Sequence, residues 1–335
     1  MKKILVATDL SVRSDIALRR ASSIARRSEA KLHVIHVVDG DWPLIIGDMQ
    51  KQVAEKFITS QLAKIEDTKA LDVEISFIFG DPSIDIASTA VDLGADLIVI
   101  GRHRDRGIAE FFRGTTIERM ARTSAVPILV ARREPVAHYA RAVVGLDFST
   151  CSSNAVSLAT ELVGANNVAL IHAYHVPFKN LTMSTDRTGS ISATDKRGIE
   201  DDIRREVDIW LNSIPIKIEK RDVILHEGSA IDILPRVAAE LGSDLICVGA
   251  HSRSWLSSAI LGSTAHELLS YSNFDILIVP LCGKRVQDQI GKNEDAGDSY
   301  SYPHENAISL NQAPRHAGYR NGRRCVHKRN GHHQK

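Results

Sequence analysis

Two motifs whose residue types suit a phosphorylated ligand each occur twice in the chain. Asp9 follows an apolar run, and Asp147 stands in the same setting 138 positions later. A second motif, Asp-Leu-Ile-x-x-Gly-x-His, contains Gly101 in its first occurrence and Gly249, 148 positions later, in its second. One long unit has therefore been duplicated, with a small insertion in the second repeat.

The aspartate of the first motif has two interpretations. A carboxylate in the place of Asp9 can accept hydrogen bonds from ribose hydroxyls or from an adenine amine. It can equally form the turn or the N-cap of the helix that follows, a role that Ser11 or Ser149 could share. The residue types leave both interpretations open.

The second motif opens a loop that suits phosphate. Gly101-x-x-Arg104 is followed after nine residues by Gly114-Thr115-Thr116 and a helical pattern, and Gly249-x-x-Ser252 is followed after nine residues by Gly262-Ser263-Thr264. Backbone amides at a helix start, with glycines and hydroxyls beside them, can surround an anion. A plain helix cap after a loop would leave the same pattern.

The length of the repeat predicts whole domains. A solenoid unit has roughly 20 to 50 residues, far fewer than this period. We predict domains at 1–136 and 137–282, followed by a disordered basic tail at 283–335. Short β-rich runs alternate with helical patterns in each repeat, which predicts an α/β fold of two repeated, open five-stranded parallel-sheet domains with helices on both faces, Rossmann-like in type. The predicted strands are Ile4–Ala7, Leu32–Val38, Val73–Phe79, Leu97–Ile100 and Ile128–Ala131, then Val143–Leu146, Val168–Ala173, Lys217–Leu225, Leu245–Val248 and Ile276–Val279.

Apolar stripes at three- and four-residue steps predict the helices. In the first repeat they include Val53, Phe57, Leu62 and Ile65, then Ile86, Ala87, Ala90 and Val91. In the second they run through Ile199, Ile203, Val207, Trp210, Leu211 and Ile214. The periodicity favours Trp210 as a core residue rather than a ligand platform. The polar stretch 176–195 is predicted to be an extended loop that ends in a helix start.

Composition excludes several classes of protein. The formal net charge of +1 predicts no general attraction to nucleic acid or anionic lipid, and the apolar runs are too short to span a membrane. No signal-peptide core follows Met1, so we expect a cytoplasmic protein. The four cysteines are too scattered for a disulfide framework or a zinc site, and we name no metal ligand. The basic tail is interpreted as a solvated extension, with a nucleic-acid-binding arm as the alternative.

Taken in order, these motifs resemble the universal stress protein family. The resemblance rests on Thr-Asp-x-Ser, the strand with His36-Val37-Val38, Gly80-Asp81-Pro82, the Gly-x-His strand end, the Gly-Thr/Ser helix start, and Val126-Pro127-Ile128-Leu129-Val130. It covers both repeats, roughly residues 1 to 282. It implies a five-stranded α/β sheet per repeat, pairing of the two units through their last strands, stress-linked expression, and in one branch ATP binding through a Gly-x-x-Gly, nine-residue, Gly-Ser/Thr loop.

The resemblance also implies a nucleotide pocket in each repeat. The first would use Ala7, Thr8, Asp9, Val37, Gly101, Gly114, Thr115 and Thr116, and the second Leu146, Asp147, Ala173, Gly249, Gly262, Ser263 and Thr264. The chain departs from the motif where Arg104 and Ser252 replace its second glycine. A side chain there can obstruct the site, or Arg104 can itself pair with phosphate oxygens. If one repeat binds ATP and its magnesium through charge, we expect the first.

Three hypotheses follow. The leading one is a cytoplasmic stress-response protein that binds an adenine nucleotide, with its two repeats paired along Ile128–Ala131 and Ile276–Val279 because an unpaired apolar edge favours association. The second is an interaction module that acts through proteins or nucleic acid. The third is a slow nucleotide hydrolase, against which stand the lack of a Walker loop and of paired carboxylates for magnesium. No catalytic residue is assigned: His103 and His251 are interpreted as turn-stabilising or solvent-facing, and a homodimer of the whole chain is left open.

Overall fold

The architecture is described from a computed structural model. The structure describes residues 1–38, 44–102, 116–135, 137–175, 193–214, 223–250 and 261–281. The predicted tail at 283–335 lies outside these residues, as do the loop at 176–192 and most of the arginine-rich loop after Gly101. Within the described residues, both repeats belong to one compact unit.

Ten strands of the described chain form one sheet. Its order is β3-β2-β1-β4-β5-β10-β9-β6-β7-β8, so each repeat contributes five adjacent strands. Within each repeat every neighbouring pair is parallel. The predicted α/β class is confirmed. The strands are β1 Lys3–Ala7, β2 Lys31–Val38, β3 Val73–Phe79, β4 Leu97–Gly101, β5 Ile128–Ala131, β6 Ala142–Gly145, β7 Val168–Tyr174, β8 Ile224–Glu227, β9 Leu245–Gly249 and β10 Asp275–Val279.

Eight α-helices of the described residues cover this sheet. They are α1 Val12–Ser28, α2 Leu44–Lys64, α3 Pro82–Leu93, α4 Thr116–Thr123, α5 Thr150–Val163, α6 Ala193–Ser213, α7 Ala230–Glu240 and α8 Ser263–Tyr271. Local sequence fixes several of their ends. Asp81 caps α3 with Pro82 in its first turn, and Gly94 ends that helix in the left-handed conformation.

Burial on both faces explains why the strands are almost wholly apolar. Successive side chains of a strand point to opposite faces. Ile4 and Val6 pack in one core cluster, and Leu5 between them packs in the other. A sheet covered by helices on both sides therefore requires apolar residues at every central position, which is the signal that the sequence carries.

Two helical stripes differ from their prediction. Val53 is 67% exposed, and the buried residues of α2 from position 49 onward are Ala54, Ile58 and Leu62. Four-residue steps from Leu62 lead to Ile58 and then to Ala54, so a small alanine occupies the core position that the pattern assigned to Val53. Val91 of α3 is also exposed, since its neighbour Ala90 faces the core.

In the second repeat one helix prediction is confirmed and one strand is shorter than expected. Trp210 is buried and its ring contacts that of Phe148, with centroids 6.0 Å apart. The run predicted at Lys217–Leu225 lies partly outside the described residues, and strand β8 begins only at Ile224.

The two repeats join edge to edge. Strands β5 and β10 pair antiparallel, with Leu129 opposite Leu277. The intramolecular pairing expected along these strands is thus present. Because the junction is antiparallel, strand direction reverses across it, and the carboxyl ends of the second repeat face the opposite edge of the sheet from those of the first.

Candidate functional site

The first repeat brings its two motifs together at one rim of the sheet. Strands β1 and β4 are parallel neighbours, so Ala7 at the end of β1 and Gly101 at the end of β4 lie at the same edge. A Cβ placed on Gly101 would lie 2.5 Å from the carbonyl oxygen of Arg13 in α1. The glycine is therefore required by the close approach of α1, whether or not a ligand binds beside it.

Gly249 repeats this arrangement in the second repeat. A Cβ there would lie 2.7 Å from the Cβ of Cys151, in the first turn of α5. Each repeat thus seats the start of its first helix on the end of its fourth strand, and this contact holds the aspartate turn beside the glycine.

The aspartate turns have the same conformation in both repeats. Leu10 and Phe148 follow the two aspartates with φ angles of 63° and 61°, in the left-handed region that residues other than glycine rarely adopt. The backbone N–H of Ser11 donates to the Oδ1 of Asp9 at 3.0 Å, and the N–H of Ser149 donates to the Oδ1 of Asp147 at 3.0 Å. Backbone strain of this kind persists where the surrounding structure over-determines it, as at functional sites.

The helix caps are the serines. The side chains of Ser11 and Ser149 accept from backbone N–H groups in the first turns of α1 and α5. Asp9 is therefore a turn residue but not the N-cap, and it remains exposed. The exposure of this carboxylate is compatible with either interpretation of the sequence.

Asp9 is held in its charged form. Partial burial alone would raise its pKa, but the hydroxyl and backbone N–H of Ser11, with the hydroxyl of Ser14, stabilise the carboxylate, and the net result is a lowered pKa. At neutral pH this side chain is a hydrogen-bond acceptor only. It suits a donor-rich partner such as a ribose diol.

A histidine supports each turn from the second strand. The Nδ1–H of His36 donates to the carbonyl oxygen of Thr8 at 2.7 Å, and that of His172 donates to the carbonyl oxygen of Leu146 at 2.8 Å. Because a carbonyl oxygen only accepts, the proton must be on Nδ1. In the sequence, His36 contributes only to the family resemblance. A histidine recurs just before each of the paired positions Val37 and Ala173, and this recurrence is the signal that could have identified the role.

The turns differ in polarity at the residue before the aspartate. The hydroxyl of Thr8 accepts from the N–H of Leu10 at 3.0 Å and contacts the hydroxyl of Ser14 at 2.9 Å. Leu146 occupies the place of Thr8 in the second repeat and can form neither contact. The first repeat thus has a polar turn, and the second an apolar one.

The remaining predicted residues fall into three groups. Val37 and Ala173 are half-buried near the ends of β2 and β7 and pack against the core, as strand-end residues do. Thr116 begins α4, and Gly262, Ser263 and Thr264 form the start of α8. Arg104, Gly114, Thr115 and Ser252 lie outside the described residues, as do His103 and His251.

The second repeat shows how a helix start reaches the rim. The N–H of Gly262 donates to the carbonyl oxygen of Ala250 at 2.8 Å, and Ala250 directly follows β9. Gly262 is the N-cap of α8 and gives it no side-chain cap. The predicted strand-end glycine and the predicted helix start are therefore adjacent.

An ion pair adds a feature to the rim of the first repeat. The Nη2 of Arg119 in α4 lies 3.1 Å from the Oδ2 of Asp81, the N-cap of α3. The hydroxyl of Ser83 makes the largest contribution to the lowered pKa of Asp81. The backbone N–H of Ser83 and the guanidinium of Arg119 lower this pKa further. Ser229 and Glu267 stand at the corresponding places of the second repeat, so this pair is confined to the first.

Other features of the described residues lie away from both rims. A cavity of about 250 Å³ at the junction of the repeats is lined by Arg20, Arg27, His138 and Glu161, among others, and by none of the predicted site residues. Among the described residues no cluster of three histidine, cysteine or acidic side chains could hold a metal ion. No helix in the described part of the chain is long and apolar enough to cross a membrane.

The fold and the rims define the class: an open-sheet α/β protein in which one unit, with its aspartate turn and its strand-end glycine, occurs twice. The sequence model of the universal stress protein family matches residues 1–132 and 138–280. The chain belongs to the universal stress protein family, with two tandem units.

Individual relatives agree with this assignment. A protein of Staphylococcus aureus (strain USA300), assigned to the universal stress proteins, is 29% identical over 141 residues, which is 40% of this chain and 85% of the relative. The crystal structure of a universal stress protein from Archaeoglobus fulgidus is similar with a TM-score of 0.57 at 21% identity, covering 83% of this chain and 98% of that one. A structure from Pseudomonas aeruginosa UCBPP-PA14 gives 0.56 at 18%, covering 84% and 93%. At such identities the two structures support the shared fold alone.

Proposed function

We propose that this protein acts in the stress response by binding an adenine nucleotide at the carboxyl rim of its first repeat. The observation that carries the proposal is the Asp9 turn. It presents an exposed carboxylate, kept charged by Ser11 and Ser14, beside the end of β4, where ligands of open α/β sheets bind. The carboxylate would accept the ribose hydroxyls, and the start of α4 would face the phosphates.

The first repeat is the better candidate of the two. Asp9 is exposed, whereas Asp147 is half-buried. Arg102, exposed directly after Gly101, adds positive charge at this rim. The alanine at position 250 gives the second repeat no such charge.

Calorimetric titration with ATP, ADP and AMP, with and without magnesium, tests the proposal. We expect one site per chain, and Asp9→Asn should weaken binding about 10- to 100-fold, because a hydrogen bond to a charged acceptor contributes roughly 1.5–3 kcal/mol. Asp147→Asn is the matched control, since it alters the same turn in the other repeat and should leave the affinity unchanged. No heat at millimolar nucleotide would refute the proposal and leave the interaction-module hypothesis.

Arg104→Gly distinguishes the two interpretations of the departure from the loop motif. If the arginine pairs with phosphate, the variant binds ATP more weakly and its affinity depends less on salt. If the side chain obstructs the loop, the variant binds more tightly. Phosphate release from the same samples, compared with Asp9→Asn, tests for hydrolysis.

A further inference from the structure

The junction between the repeats has a pseudo-two-fold axis whose position follows from the strand register. Positions in the last third of the two repeats correspond at a spacing of 148, as Gly101 and Gly249 show. By that spacing Leu129 corresponds to Leu277, and these two residues are paired directly across β5 and β10. The axis passes through this pair. In a symmetric dimer, a residue on the axis faces its own copy.

A second pair on the axis consists of unlike residues. Glu118 in α4 and His266 in α8 also correspond at the spacing of 148, and the Oε1 of Glu118 lies 3.4 Å from the Nδ1 of His266. The side chain of Glu118 is 10% exposed and that of His266 45%. Two copies of the first repeat would place glutamate against glutamate here, and two copies of the second would place histidine against histidine.

A buried carboxylate, that of Asp275, is a second unsymmetrical feature of the junction. Asp275 is fully buried, and its Oδ1 accepts from the backbone N–H groups of Arg132 at 2.7 Å and Arg133 at 2.9 Å. The first repeat has Pro127 in the place of Asp275. The second has Pro280, which lacks an N–H, in the place of Arg132. Only the pairing of unlike repeats brings this acceptor to these donors.

The other oxygen of Asp275 contacts one group from each repeat. The hydroxyl of Tyr139 donates to its Oδ2 at 2.6 Å, and the Nε of Arg20 lies 3.3 Å away. The guanidinium of Arg20 stacks 4.0 Å over the ring of Tyr139. By the spacing of 138 that relates the first helices, Arg20 corresponds to Leu158, which has no charge for a buried aspartate.

We propose that the β5 edge of the first repeat is a surface specific for the β10 edge of the second repeat, and that it rejects the same repeat of another chain. Pairing two first repeats would oppose two glutamates on the axis. Pairing two second repeats would bury Asp275 without its N–H donor at position 132 and without its arginine. An uncompensated buried charge is among the most destabilising changes in a protein interior.

Charge exchange in the full chain tests this specificity on the axis. His266→Glu reproduces the contact of two first repeats, Glu118→His that of two second repeats, and the double exchange restores an unlike pair. We expect each single change to lower the urea midpoint and the double exchange to recover most of the loss. A double variant no more stable than the sum of its singles would overturn the proposal. If a single variant fails to fold, the Glu118→Gln and His266→Gln cycle gives the same coupling.

Asp275→Asn tests the buried acceptor. We expect the unfolding equilibrium constant to rise by about a hundredfold or more, because a buried carboxylate is replaced by an amide facing two N–H donors. Asp244→Asn is the control: the Oδ2 of Asp244 also accepts from two backbone N–H groups, those of Ala140 and Arg141, but at an exposed position. Loss in Asp275→Asn no greater than in Asp244→Asn would contradict the proposed specificity.

Discussion

Gly101→Ala should destabilise the protein and disturb the Asp9 turn, although it adds a single methyl group. The new Cβ would lie 2.5 Å from the carbonyl oxygen of Arg13, and the backbone nitrogen of Ser14 would be 3.0 Å away. Ordinary contact begins at 3.4 Å, so the start of α1 would have to retreat by about 0.9 Å. Backbone cannot yield as a flexible side chain can.

Overpacking of this kind lowers the free energy of unfolding by roughly 1–3 kcal/mol. For a chain of 335 residues, with an unfolding entropy of about 2.1 cal/mol/K per residue, that corresponds to a fall in Tm of roughly 1–5 °C. Because Ser14 contacts Thr8 and stabilises the Asp9 carboxylate, the same displacement should weaken nucleotide binding in the calorimetric assay. Thermal unfolding followed by circular dichroism measures the first effect.

Two further glycines serve as controls. Gly249→Ala should destabilise by a similar amount, since the nearest atom is the Cβ of Cys151 at 2.7 Å, which is attached directly to the backbone of α5 and cannot rotate away. Gly198 is at an exposed position of α6, and no atom lies within 4 Å of a Cβ added there. Gly198→Ala should therefore raise the free energy of unfolding by roughly 0.5–1 kcal/mol. If Gly101→Ala and Gly249→Ala were no more damaging than Gly198→Ala, the packing argument would be wrong.

Three other predictions use the same unfolding assays. Burial lowers the pKa of His33 from 6.5, so the folded state resists protonation. The free energy of unfolding should therefore fall as the pH drops below about 6.5. Urea titrations at about pH 7.5 and 5 should show a smaller pH dependence in His33→Gln than in the unchanged protein. Glu29 is an exposed C-cap in the left-handed conformation, with φ of 52°, so Glu29→Gly should raise the free energy of unfolding by about 1 kcal/mol. Gly94→Ala, at φ of 62°, should lower it by a similar amount. Equal urea midpoints for the two variants would refute this. Tyr139→Phe removes the donor to Asp275 and should lower the urea-derived stability by roughly 1.5–3 kcal/mol, and an unchanged midpoint would show that the hydroxyl does not matter.

The strands were predictable because burial on both faces leaves few polar choices. Leu97 to Ile100 must be apolar at every position, and the pattern is short and bounded. The helices were less determined, as α2 shows: small residues such as Ala54 can face the core while larger ones such as Val53 face solvent. An apolar stripe read only from large side chains therefore slipped by one residue.

The site was predictable in outline but not in its causes. The repeats of Asp9 and Gly101 pointed to the rim, yet the reason for Gly101 is a contact with Arg13, 88 positions earlier in the chain. The left-handed conformation of Leu10 carries no local signal, since neither glycine nor asparagine occupies the position. Such contacts depend on how α1 is seated, and no local pattern encodes that.

Comparison of the repeats separates what builds the rim from what distinguishes the two sites. The strand-end glycine, the left-handed turn residue and the histidine that donates to the carbonyl before the aspartate are present in both repeats, so they belong to the common framework. Two polar features distinguish the repeats. The first repeat has Thr8 where the second has Leu146, and it has the ion pair of Asp81 and Arg119, which the second repeat lacks. Since the framework is the same, these polar groups, together with Arg102 where the second repeat has Ala250, can give the two rims different ligand preferences. The first repeat retains them, which is why the second, with its apolar turn, serves as its internal control.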